Sequence, residues 1–120
     1  MVLLLTAAML KPDPRGLGTH QQLGLAPCTF QVVFEMRCPA CGMTTSWAHL
    51  THGQPWSAVQ ANVGGASLGI LAVVFGPWLL VSGLRGRWLY RPVAGQALAA
   101  GGIVLLLVIL IDWVCRLLVR

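Results

Sequence analysis

A chain of 120 residues with 9% charged and 57% hydrophobic side chains is one domain at most, and it has too little charge to cover the surface of a soluble protein. Its net charge of +5 comes from Lys11, Arg15, Arg37, Arg85, Arg87, Arg91, Arg116 and Arg120, set against three acids. These cations flank apolar runs and form no basic stripe with interleaved aromatics, which speaks against nucleic acid and for a lipid bilayer as the partner.

The chain opens with "MVLLLTAAML", ten largely apolar residues. As a helix this covers about 15 Å, roughly half a hydrocarbon core. A basic n-region and a clear cleavage site are missing, so the stretch reads as part of a first membrane helix in preference to a signal peptide. A short interfacial helix is the alternative. "KPDPRG" then breaks the helix, and residues 11–37 read as an ordered loop. Pro39 suits the first turn of a helix running from about Ala40 to Thr51, with Gly53 as its cap. Pro55 opens a second short helix, "PWSAVQAN".

Two uncharged runs follow. Val63 to Leu84 has 22 residues and Val93 to Ile111 has 19, close to the ~20 a spanning helix needs. Pro77 is expected to kink the first. The fold expected is an all-α integral membrane protein in one domain, 1–120. Its parts are a truncated or short first helix (1–10), a loop with interfacial helices forming a cysteine-containing hairpin (11–62), and two full transmembrane helices (63–84 and 93–111). Arg85, Arg87 and Arg91 lie close together between the spans, which favours a cytoplasmic loop and an outward cysteine segment. Trp88 and Tyr90 fit an aromatic belt.

The chemistry-bearing residues gather in "RCPACGMTTSWAHLTHG", residues 37–53. Cys38 and Cys41 stand in a C-x-x-C spacing that serves two chemistries. A tight turn can bring both sulfurs to one metal ion, or the pair can close a redox disulfide. A helix beginning at Pro39 would place both sulfurs at its positive end and favour thiolate, and Arg37 acts in the same sense. Cys28 lies ten residues upstream, and His20 precedes it in "GTHQQLGLAPCTF". A zinc site needs four nitrogen or sulfur ligands. Cys28, Cys38 and Cys41 with His20 are the favoured set, because about 12 Å of helix separates Cys41 from His49. His49 and His52 read as surface or capping residues. A structural disulfide, or packed thiols without chemistry, stands beside the metal and redox readings.

Elsewhere, Cys115 reads as a packed thiol. Asp112 and Arg116 read as an i,i+4 pair, with a proton path as the sharper alternative. Gly65 with Gly69, and Ala97 with Gly101, allow close helix approach.

"GTHQQLGLAPCTF" and "RCPACGMTTSWAHLTHGQPWSAVQAN" followed by an apolar span resemble a family of small bacterial membrane proteins known only as a domain of unknown function. Its Cys-Pro-x-Cys-Gly-x-Thr signature is met by Cys38, Pro39, Cys41, Gly42 and Thr44, and the resemblance covers roughly residues 16–84. In that family arginine often follows the signature threonine, where this chain has Thr45, and proline follows the asparagine, where it has Val63. The resemblance implies a multi-pass inner-membrane protein with a cysteine motif beside a membrane helix, and no established reaction.

With three acidic residues, no Ser–His–acid set and no phosphate-binding loop, few catalytic mechanisms are available. The expected function is therefore non-enzymatic. The cysteine cluster stabilises the hairpin by metal (zinc as the candidate) or disulfide, in a subunit of a larger membrane assembly or a homo-oligomer. The rival is a membrane thiol–disulfide oxidoreductase exchanging through Cys38 and Cys41.

Overall fold

The computed structural model describes residues 2–88 and 94–119, and every regular element among them is a helix. Tyr90, Arg91, Val93 and Arg120, used above for the aromatic belt, the loop charge and the start of the second run, lie outside the described residues.

Two long helices, α5 (Val63–Arg85) and α6 (Gly95–Leu118), are long and apolar enough to cross a membrane. Asn62 caps α5, its side-chain oxygen accepting the Gly65 N–H at 2.7 Å, and Gly86 ends it in the left-handed conformation. Pro77 lies within α5, which continues on both sides of it. α6 outlasts the uncharged run 93–111 because Asp112 and Arg116, one turn apart, neutralise each other at 2.6 Å. The two helices are antiparallel. Gly64 at the start of α5 lies against Ile109 near the end of α6, with no room for a Cβ.

The remaining elements cap the end where α5 begins and α6 finishes. α1 (Val2–Ala8), only seven residues long, buries Leu4 and Ala7 and packs on α3. α2 is Thr29–Phe34, α3 is Met43–Thr51 and α4 is Pro55–Ala61. α3 and α4 form the helical hairpin, and α3 seats on α5 at Gly65 and Gly69. A Cβ on Gly69 would stand 2.6 Å from Leu50, and one on Gly65 would stand 3.1 Å from the Met43 Cα. The Trp47 indole N–H donates to the Gly65 carbonyl at 2.7 Å. The G-x-x-x-G spacing is thus used inside the chain. Gly101 on α6 has no such neighbour.

Two sequence expectations need correction. Residues 11–37 are not all loop: a 3-10 helix spans Thr19–Leu23 between left-handed Gly18 and Gly24, and α2 follows with the rings of Phe30 and Phe34 in tilted contact, centroids 4.7 Å apart. These helices are one or two turns long, too short to leave a periodic signal. The helix expected from Ala40 starts only at Met43, because Gly42 adopts φ 90 and interrupts it.

The loop before the 3-10 helix is also anchored. Arg15 grips the Asp13 carboxylate at 2.7 and 3.0 Å, and these hydrogen bonds hold the Asp13 pKa down at about 2. The Asp13 N–H donates to Thr19 Oγ1 at 3.0 Å. Thr19 in turn shares a fully buried 2.7 Å hydrogen bond with Thr45 on α3. Thr45 therefore has a packing role.

Candidate metal centre

Cys38, Pro39, Ala40 and Cys41 form a tight turn closed by the Cys41 N–H on the Cys38 carbonyl at 3.0 Å. Proline in the second position presets the backbone for it. Gly42 then reverses the chain into α3, wedged between the carbonyls of Gly16 and Ala61. Cys28 arrives from a different direction, as the residue that caps α2.

Three sulfurs converge here. Cys38 Sγ lies 3.0 Å from Cys41 Sγ and 3.6 Å from Cys28 Sγ, and all three lie within 4.8 Å of one another. The structure holds them as free thiols. A tetrahedral ion with metal–sulfur bonds of about 2.3 Å would set its sulfurs about 3.8 Å apart, close to the wider separation. Three half-buried thiols at these distances can hold a thiophilic metal.

The electrostatics differ from the sequence expectation. The C-x-x-C pair does not sit on a helix N-terminus, because α3 begins after Gly42. The helix start that matters is that of α2. Its Gln31 N–H, helped by the neighbouring Cys38 sulfur and the Phe30 N–H, lowers the Cys28 pKa. Burial, with the adjacent Cys38 sulfur, pushes Cys41 up to about 12. Only thiolate reacts with an alkylating agent, so Cys28 should be modified well before Cys41 by iodoacetamide at about pH 8. Cys41 should stay intact until the pH nears its own pKa. Peptide mass spectrometry over a time course checks this, and equal rates for the two thiols would contradict it.

The turn is clamped through its carbonyls by residues far away in sequence. Asn62 Nδ2 donates to the carbonyls of Pro39 and Cys41, each at 3.1 Å. Arg116 on α6 donates to the same two, at 3.5 and 3.1 Å, while held by Asp112. The Trp113 indole N–H donates to the Arg37 carbonyl at 2.6 Å. Asn62 is 1% exposed, so its hydrogen bonds are made without competition from solvent. The sequence hinted at Asp112 with Arg116 only as a pair. Nothing in one dimension linked Asn62, Trp113 or Arg116 to the cysteines.

His20 lines the same cavity of about 250 Å³ as the three cysteines, but it does not join their cluster. His49 bonds the Gln54 side chain at 2.7 Å, and the His52 ring N–H donates to the Ala48 carbonyl at 2.7 Å. Both serve the end of α3. Cys115 is exposed and not packed.

With the geometry in place, comparison with known proteins adds one finding. The model of a family described as a protein of unknown function (DUF2752) matches residues 28–76. The matched stretch begins at Cys28, includes Cys38, Cys41, Asn62 and both glycines that seat α3, and ends within α5. No curated protein and no solved structure matches the chain.

Proposed function

We propose that this chain is a small integral membrane protein holding a thiophilic metal ion, zinc as the first candidate, on Cys28, Cys38 and Cys41 at one membrane face. The convergence of three thiols from two separate segments carries this reading. The membrane placement rests on exposure. A soluble protein buries its most apolar helices, whereas the most apolar window of α5 is 11% buried and that of α6 is 0% buried. Lipid is the solvent such helices need. Exposed Arg85 and Arg87 at the far end of α5 support, under the positive-inside rule, an orientation with the cysteines outside, and the membrane of the proposal is an inner membrane of bacterial type.

One role of the ion is structural. Asp13 and Asp112 are each engaged by an arginine, so neither is free as a general base. The metal ties the N-terminal segment to the hairpin, in a subunit whose largely exposed α6 leaves room for further membrane partners. Metal analysis of detergent-purified protein tests this. Wild type should carry about one equivalent of zinc or another soft metal, and Cys38→Ser with Cys41→Ser should carry none. A wild-type content below about 0.1 equivalent, background for a real site, ends the metal reading.

One observation favours a second reading. The 3.0 Å between Cys38 and Cys41 sulfurs brings them near bonding distance, as an exchanging thiol–disulfide pair requires. Metal-free protein whose Cys38 and Cys41 label with maleimide only after reduction would favour that oxidoreductase.

A further inference from the structure

Three sulfurs make three bonds, and a tetrahedral thiophilic ion takes four. Among the described residues no further histidine, cysteine or carboxylate donor comes close enough to join Cys28, Cys38 and Cys41. Nor do the sulfurs back onto packed protein. They line a cavity of about 250 Å³, room for about eight water-sized volumes of ~30 Å³ each.

Resting on the metal reading above, we infer that the fourth position is supplied from outside the chain, by a small uncharged molecule carrying a thiol. The wall of the cavity selects that class. Besides the cysteines it presents the hydrogen-bonding groups of His20, Gln21, Gln31 and Thr44, and no lysine, arginine, aspartate or glutamate. A carboxylate or phosphate ligand would meet no lysine or arginine to pair with, and a cationic one would meet no carboxylate. An ion already held by sulfur prefers sulfur again. The amides and hydroxyls suit the uncharged remainder of such a molecule.

The step is ligand addition without redox change. The incoming S–H loses its proton to solvent, the new sulfur–metal bond forms, and the three cysteine bonds persist. A site of this kind is open, as catalytic and exchange sites are, and not closed like a purely structural one. It can pass its ion to, or take it from, a thiol carrier without dismantling the protein.

Cobalt(II) in the detergent-solubilised full chain is the probe, with 2-mercaptoethanol as the test ligand, in wild type and His20→Ala. One cobalt per chain should bind before thiol is added. Thiol should then raise the sulfur-to-cobalt charge-transfer absorbance by about a third, four bonds for three, at constant cobalt content and equally in both proteins. Unchanged absorbance overturns the inference, as does loss of cobalt to the thiol. A change in the cobalt bands caused by His20→Ala alone, in thiol-free buffer, identifies His20 as the fourth ligand and overturns it too. If no cobalt binds in any buffer, the metal reading underneath fails, which is a distinguishable result.

Discussion

Gly42→Ala is expected to destabilise the protein by about 3 kcal/mol or more and to scatter the cysteine cluster. Two costs add at this position. The backbone stands at φ 90, where a side chain costs about 1–2 kcal/mol. The new Cβ would also lie 2.6 Å from the Ala61 carbonyl oxygen and 2.7 Å from that of Gly16. Both obstacles are backbone, so neither can swing aside as a flexible side chain would. Ala61 directly precedes Asn62, so any retreat there pulls on the residue that clamps the cysteine turn. Gly53 provides the control: it too has positive φ, at 72, but open space where a Cβ would go. Gly53→Ala should therefore show only the conformational cost, about 1 kcal/mol. Midpoints of unfolding by dodecyl sulfate in mild detergent would compare the two. Equal losses would mean that the close approach at Gly42 contributes nothing.

Arg116→Met is expected to cost about 2–3 kcal/mol and to weaken metal binding by about 10–100-fold. The guanidinium serves two partners at once. It neutralises Asp112 at 2.6 Å, both side chains being about 15% exposed, and it donates to the carbonyls of Cys41 and Pro39. Removing it leaves a mostly buried carboxylate without compensation. Adding Asp112→Leu to Arg116→Met removes that stranded charge, so the double variant should regain most of the stability. It should not regain metal affinity, because the turn still lacks its hydrogen bonds from α6. Competition with a chromophoric chelator would measure this. Full recovery of affinity in the double variant would reduce Arg116 to a counter-ion for Asp112.

The helical class and the two long apolar helices were legible in the sequence because each rests on a local property, an unbroken uncharged run of spanning length. The extent of α6 was less so. Hydropathy ends at Ile111, while the helix continues to Leu118, since Asp112 and Arg116 neutralise each other within it. The start of α3 was misread from Pro39, a good first-turn residue. The decisive residue was Gly42, and its left-handed geometry follows from the Gly16 and Ala61 carbonyls packed against it. The cysteines that meet were visible as a crowd of thiols. Their pKa pattern was not, because the lowering at Cys28 depends on α2, a helix of six residues with no periodicity to announce it, and the rise at Cys41 depends on burial. His20 was a reasonable fourth ligand on spacing alone, but the 3-10 helix that carries it places it on the cavity wall, outside the cluster.

The clamp on the cysteine turn also sets an order of events during synthesis. Arg37 and Trp113 are 76 residues apart, and Cys41 and Arg116 are 75 apart. At roughly 5–20 residues per second, a ribosome needs about 4–15 s to cover that distance. For the first 21 residues after Cys41 not even Asn62 has been made, and from then on the thiols stand on a turn that still lacks its hydrogen bonds from α6. Only when the last helix arrives does the turn acquire its second set of restraints, so maturation of the sulfur cluster belongs to the end of biogenesis.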